Sequence, residues 1–393
     1  MKIYKTYILI ILVSIIISLY LFEAYLRYTK ESNFSNFQIN KSYRMKVYQN
    51  ETGKNYDERT IFQLYKDLKK ENKNIVLPFL PHNLRGESNF DFFPLAGPSN
   101  SKTIVCNENG YYSIIESDKF GFNNPNEEWN NNEIEYILFG DSFTYGDCVN
   151  RPYDIASVLR SLSNKSVLNL GYRGNGPLME YATFREYFPT NKKVKKILWL
   201  YFEGNDNYEL TLELKNDILK KYLNNLNYSQ NLREKQEYID NKVQFSNQEI
   251  ERKIIQSKNK LKPSRNNNQN NQMIKFLKLK EIRSNLRKNP QPRNELVKIL
   301  YNINEFAKNN NSEFYFIYLP EYSRYKSRYY SQRNYKKIKK ILNKLEIPFI
   351  DIHKKVFENE NNPLKLFPFE LSGHYNKEGY KKTAEYIYKY TYN

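Results

Sequence analysis

Four groups scattered along this chain could cooperate in acyl transfer. Ser142 stands in Gly140-Asp141-Ser142, directly after the apolar run Tyr136–Phe139. A serine hydroxyl needs a base to become a nucleophile, and the tetrahedral oxyanion that follows needs preorganised donors. Only three histidines are present, His82, His353 and His374, so the search for a base is short. His374 lies in Leu371-Ser372-Gly373-His374, just ahead of the last helical pattern. Gly171, Gly174 and Gly176 form a loop whose backbone can approach a ligand closely. Asn205, in Glu203-Gly204-Asn205-Asp206, adds a side-chain amide. Alone, Gly-Asp-Ser is ordinary turn and N-cap chemistry; the ordered set gives it weight.

The elements that must hold these groups are legible as periodicity. Short apolar runs at Ile134–Phe139, Ser166–Leu170, Lys196–Phe202, Glu313–Leu319 and Pro348–Ile352 alternate with helical patterns such as Asp154–Leu162. Strand and helix in alternation predict a parallel sheet covered on both faces. The expected fold class is α/β, a three-layer α/β/α domain with a five-stranded, mainly parallel sheet. Ser142, Gly174 and Asn205 each follow a strand, at the carboxyl edge where open α/β sheets bind ligands. Between the third and fourth runs lies a helical insertion at about 207–292. It is either a solvated excursion or a lid, and its polar tract Asn266–Gln272 reads as a flexible tip.

With these residues in view, the chain resembles the GDSL/SGNH hydrolase superfamily, whose four blocks carry Ser, Gly, Asn and His in this order. The resemblance covers about 133–206 and 294–392. It implies a flavodoxin-like SGNH fold, with Ser142 as nucleophile, His374 as base, and an oxyanion hole from the Ser142 N–H, Gly174 and Asn205. It implies no cofactor and no metal. One position departs from the pattern. The family's acid commonly stands three residues before the histidine, where this chain has Leu371. Either Glu370 serves as the third member or a backbone carbonyl orients His374. Asp118–Asn124 also resembles the lead-in of membrane-anchored members associated with surface polysaccharides.

The resemblance implies a serine esterase acting on an acyl ester, acetyl being the favoured group, of a cell-surface glycan or lipid. An O-acyltransferase of the same fold, with a sugar hydroxyl as acceptor, would form the same acyl-enzyme. The absent acid leaves a third reading, a non-catalytic membrane-anchored glycan-binding protein.

Composition narrows partners. Net charge is +19, but Lys and Arg are spread from Lys54 to Lys389, so no nucleic-acid partner is expected. Thr6–Phe22 is an uncharged apolar run behind Lys2 and Lys5, without a small-x-small cleavage site after it. It predicts an uncleaved single-pass anchor over residues 1–30, with the catalytic domain on the extracytoplasmic side. Residues 31–132 read as a polar stalk over 31–56 followed by an accessory region. In the latter, Asp57 is placed to cap a helix through Lys70, and Thr103–Cys106 and Tyr111–Ile115 form a hairpin around Asn109-Gly110. Residues 133–393 form the hydrolase-like domain. His82 and His353 read as structural. Cys106 and Cys148 are either bridged, tying the hairpin to the nucleophile loop, or two free buried thiols.

Overall fold

The computed structural model describes residues 2–86, 92–259, 273, 275–280, 282–283, 293–327 and 330–392. Its centre is a five-stranded, wholly parallel sheet. Number the strands in chain order, with β1 (Ile75–Val76), β2 (Lys102–Ile104) and β3 (Ile114–Glu116) in the accessory region. The central sheet is then β4 (Glu133–Gly140), β5 (Val167–Asn169), β6 (Lys193–Phe202), β7 (Glu313–Leu319) and β8 (Phe349–Asp351), ordered β5-β4-β6-β7-β8. All five expected runs form these strands. Register pairs Leu138 with Asn169 and Gly140 with Leu200, so β4 lies between β5 and β6.

Alternate residues of each strand face opposite layers. Ile137, Phe139, Ile197, Trp199 and Tyr201 join one core, covered by α5 (Pro177–Tyr187) and by helices Asn294–Asn309 and Arg333–Lys344. Tyr136, Leu138, Leu198 and Leu200 join the other, under α4 (Ile155–Ser163) and Lys377–Tyr392. The expected three-layer α/β/α architecture is what the chain adopts.

The amino end differs from the expectation. Helix α1 runs unbroken from Lys2 to Thr52, so the expected polar stalk is a continuation of the apolar amino-terminal helix. Within it Tyr4–Tyr28 is long and apolar enough to cross a membrane, with hydropathy 2.4. Polar residues 31–52 carry little helical amphipathicity, but Arg44 and Tyr48 find tertiary partners described below. Helix α2 (Ile61–Glu71) is capped by Thr60 rather than Asp57. Gln63 N donates to Thr60 Oγ1 at 3.2 Å while Thr60 N donates to Gln63 Oε1 at 2.8 Å, a reciprocal capping box. Asp57 instead pairs with Arg59.

The expected hairpin forms as β2–β3, antiparallel, with Thr103 opposite Ile115. β1 joins β2 in parallel to make a three-stranded accessory sheet. The insertion contributes α6 (Asp206–Glu213), α7 (Asp217–Asn224) and α8 (Gln236–Asn259). Ile239 and Val243 of α8 pack on Phe79, and Asp240 accepts from Ser99 N at 2.8 Å. These helices clamp the accessory region to the domain. The tract Asn266–Gln272 lies outside the described residues.

Candidate active site

Gly140 leaves β4 at φ +156, with the space a Cβ would need taken by Thr144 and the Leu200 carbonyl. Asp141 caps the short helix α3 (Ser142–Tyr145), accepting from Phe143 N at 2.9 Å. Burial pushes the Asp141 carboxyl up to about 7. This turn puts Ser142 at the carboxyl end of β4. Gly174 follows β5 and Asn205 follows β6, so they flank Ser142 from opposite neighbours. Gly174 has φ +72, and a Cβ there would lie 1.9 Å from His82 Nδ1. Both reasons require glycine. Asn205 precedes α6 yet makes no capping bond with its side chain, and its Oδ1 is buried without a partner. The loop carrying it is fixed by Glu203, which pairs with buried Arg324 and accepts from Glu321 N at 3.0 Å.

His374 arrives from the other end of the chain. Its Nε2 lies 2.9 Å from Ser142 Oγ. Its ring rests on Phe143, centroids 4.7 Å apart. Behind it stands Glu108, on the tip of the accessory hairpin. Glu108 Oε1 is 3.2 Å from His374 Nδ1, and Oε2 accepts from His374 N at 2.6 Å. An ionised carboxylate only accepts, so Nδ1 carries the proton and Nε2 is left to accept from Ser142 Oγ–H. A Cβ at Gly373 would come within 2.5 Å of Glu108 Oε2, so a larger residue there would press on this carboxylate.

Glu370, the acid expected from sequence, does not reach His374. It is exposed, and its Oε2 accepts from Asn362 Nδ2 at 3.1 Å. The 3-10 turn Pro368–Glu370, with both Phe369 and Glu370 at φ +55, directs it away.

Several bonds hold Glu108 in place. Cys106 and Cys148 are joined as a disulfide, Cα atoms 5.2 Å apart, linking the hairpin to the loop after the nucleophile. Asn109 Nδ2 donates to Cys148 O at 2.9 Å, and Asn107 Nδ2 to Asp57 O at 2.7 Å. The far end of α1 closes the arrangement. Arg44 Nη2 donates to Ser372 O at 2.8 Å, and the Tyr48 ring covers Gly110. Glu108, Cys148 and His374 cluster as metal ligands do. With Cys148 in a disulfide its sulfur is no thiolate, so the trio is a poor metal site.

Electrostatics follow from these contacts. Burial opposes a charge on His374, but the hydrogen bond and charge of Glu108, with Asp147 and Asp141 nearby, outweigh it and raise the imidazole above its ordinary value. Burial also opposes ionisation of Glu108, and the bond to His374 overcomes it, holding the carboxyl below its usual range. Asp147 Oδ2 lies 3.7 Å from His374 Nε2 and 2.7 Å from Arg173 Nε.

Sequence reasoning missed Glu108, Arg44 and the Glu203–Arg324 pair. Glu108 had one signal, its position two residues from Cys106. His353 is structural as expected, with Nδ1 2.9 Å from Tyr325 Oη. Asp118 is a buried hub, accepting from Phe122 N, Trp129 Nε1 and Asn124 Nδ2.

No protein-family model matches the chain, and none of the curated proteins matches it. Among solved structures, a G-D-S-L family lipolytic protein from Desulfitobacterium hafniense DCB-2 is similar at 15% identity and TM-score 0.36, over 66% of this chain and 99% of that one. The acetyl xylan esterase AlAXEase is similar at 11% identity and TM-score 0.37, over 65% and 99%. The psychrotrophic esterase EstA from Pseudoalteromonas sp. is similar at 12% identity and TM-score 0.33, over 67% and 100%. In this chain Ser142, Gly174 and Asn205 follow strands of a five-stranded parallel sheet, and His374 Nε2 reaches Ser142 Oγ.

Proposed function

We propose that this chain is a membrane-anchored serine ester hydrolase of SGNH type, with its catalytic domain outside the cytoplasmic membrane. The observation that carries the reading is the line Ser142 Oγ, His374 Nε2, His374 Nδ1, Glu108, with 2.9 and 3.2 Å between partners. His374 Nε2 takes the Ser142 proton as Oγ bonds to the ester carbonyl carbon. The carbonyl π electrons move to oxygen, and the oxyanion is met by the N–H groups of Ser142 and Gly174 and by the Asn205 amide. Collapse breaks the carbon–alkoxy bond, and imidazolium returns the proton to the leaving alcohol. Water then adds to the acyl-enzyme by the same proton path, releasing the acid and free Ser142. A sugar hydroxyl in place of that water would give acyl transfer. Glu108 orients the imidazole and stabilises its charged form, the part an acid plays in such triads.

The intact Ser, Gly, Asn and His, together with Glu108 where the acid was missing, speak against a non-catalytic glycan binder. The test is covalent labelling with a fluorophosphonate, plus turnover of a generic acetyl ester. Wild type should label and turn over, and Ser142→Ala should do neither. Wild-type activity retained in Ser142→Ala would end the serine reading.

A further inference from the structure

The anchor helix does not stop at the membrane; it runs into the catalytic centre and so acts as a ruler. The uncharged run ends at Phe22, and Glu23 and Arg27 are the first charges after it. The apolar span ends at the latest at Tyr28. From that point α1 continues to Thr52 without a break. Arg44 on it holds Ser372 O, two residues before His374, and Tyr48 covers Gly110, two residues after Glu108. The catalytic histidine and its acid therefore stand at the level of Arg44–Tyr48.

At ~1.5 Å per residue, Arg44 is between about 24 and 32 Å along the helix from the bilayer boundary. A tilt of 40°, the upper end for single spans, still leaves about 18 Å. The headgroup layer is only ~5–8 Å thick, and lipid acyl esters lie at its inner edge. The foot of the helix is braced as well. Ile282 N donates to Glu23 Oε2 at 2.9 Å, Tyr20 Oη to Leu277 O at 3.2 Å, and Arg27 lies 5.1 Å over the Phe276 ring. The insertion thus meets α1 at the boundary, while the hairpin tip meets it at the site, and the helix between is held at both ends.

We infer that Ser142 acts on an ester carried well clear of the bilayer, on an extended hydrophilic chain such as a glycan, and not on the acyl esters of membrane lipids. The inference rests on the serine and anchor readings above and narrows their substrate. The direct test uses the full chain reconstituted in phosphatidylglycerol vesicles. Ser142 is labelled with a short-linker fluorescent fluorophosphonate, and energy transfer to acceptor lipids is measured. A parallel sample of vesicles, left unlabelled so that Ser142 stays free, is given soluble acetylated xylan, and both acetate and released fatty acid are followed.

The expected result is labelling, transfer corresponding to about 18–32 Å from the acceptor plane, acetate release and no fatty acid. Labelling with a donor in contact with the acceptor lipids, or fatty acid released as fast as acetate, overturns the inference while leaving the serine reading standing. Absence of labelling overturns the serine reading and this inference with it. Protein that labels in solution but fails to stay with the vesicles overturns the anchor reading and the ruler built on it.

Discussion

The two halves of the candidate site are positioned by different means. Ser142, Gly174 and Asn205 follow β4, β5 and β6, adjacent strands in parallel register, so the sheet places all three along its carboxyl edge. His374 and Glu108 meet across 266 positions of chain, held by a hairpin tip, a disulfide and the carboxyl end of α1. The sheet half depends on a buried core, the other half on a few specific bonds near the surface. Perturbations should therefore act on the two halves differently, in rate on one side and in rate, stability and pH response on the other.

In the sheet half a large loss of rate is expected without a loss of stability. Asn205→Ala should lower kcat by roughly 100- to 1,000-fold, the usual cost of one oxyanion donor, with KM nearly unchanged. Its melting temperature should stay near wild type, because Asn205 makes no capping bond. A fall in KM-dependent binding with kcat intact would move Asn205 out of the oxyanion role.

Removing the disulfide addresses the other half. The bridge closes a loop of 42 residues, for which the chain-entropy account gives about 4 kcal/mol. Cys106→Ser with Cys148→Ser should therefore unfold at lower denaturant concentration and lose roughly tenfold in kcat as Glu108 loosens behind His374. Glu108 keeps the Asn109 and Asn107 bonds, so the loss should stay well below that of Asn205→Ala. Equal kcat in the doubly substituted and native proteins would show that the hairpin tip needs no covalent tie. The smallest effect should come from Glu370→Gln, within about twofold of wild type, as for most surface substitutions.

The difference between the halves is also a difference in legibility. Strands of a parallel sheet are near-continuous apolar runs, so the elements ending in Ser142, Gly174 and Asn205 stand out in a chain otherwise rich in Lys and Asn. Glu108 has no such marker. It lies in a polar turn, and only tertiary contact brings that turn to His374. The search for an acid near His374 in sequence led to Glu370, which a left-handed turn aims at solvent. Residues 31–52 were hidden for a related reason. Their composition carries no strong amphipathic stripe, and what recruits the helix is Arg44 reaching Ser372 and Tyr48 covering Gly110. The Thr60 cap was overlooked because Asp57 is an equally good capping residue by type; the reciprocal Gln63 bond favours Thr60.

The central claim is that the hairpin, not the segment before the histidine, supplies the acid. The most direct measurement is the pH profile of kcat/KM for wild type, Glu108→Gln and Glu370→Gln on one soluble acetyl ester. His374 must be neutral to act as base, so activity rises with pH through its pKa. Glu108 raises that pKa, which puts the wild-type acid limb above the ordinary ~6.5 of histidine. Glu108→Gln should move the limb to lower pH and cut the plateau by roughly 100- to 10,000-fold, as expected when a triad loses its acid. Glu370→Gln should reproduce the wild-type profile. A shifted limb and depressed plateau in Glu370→Gln, with Glu108→Gln unchanged, would contradict the account.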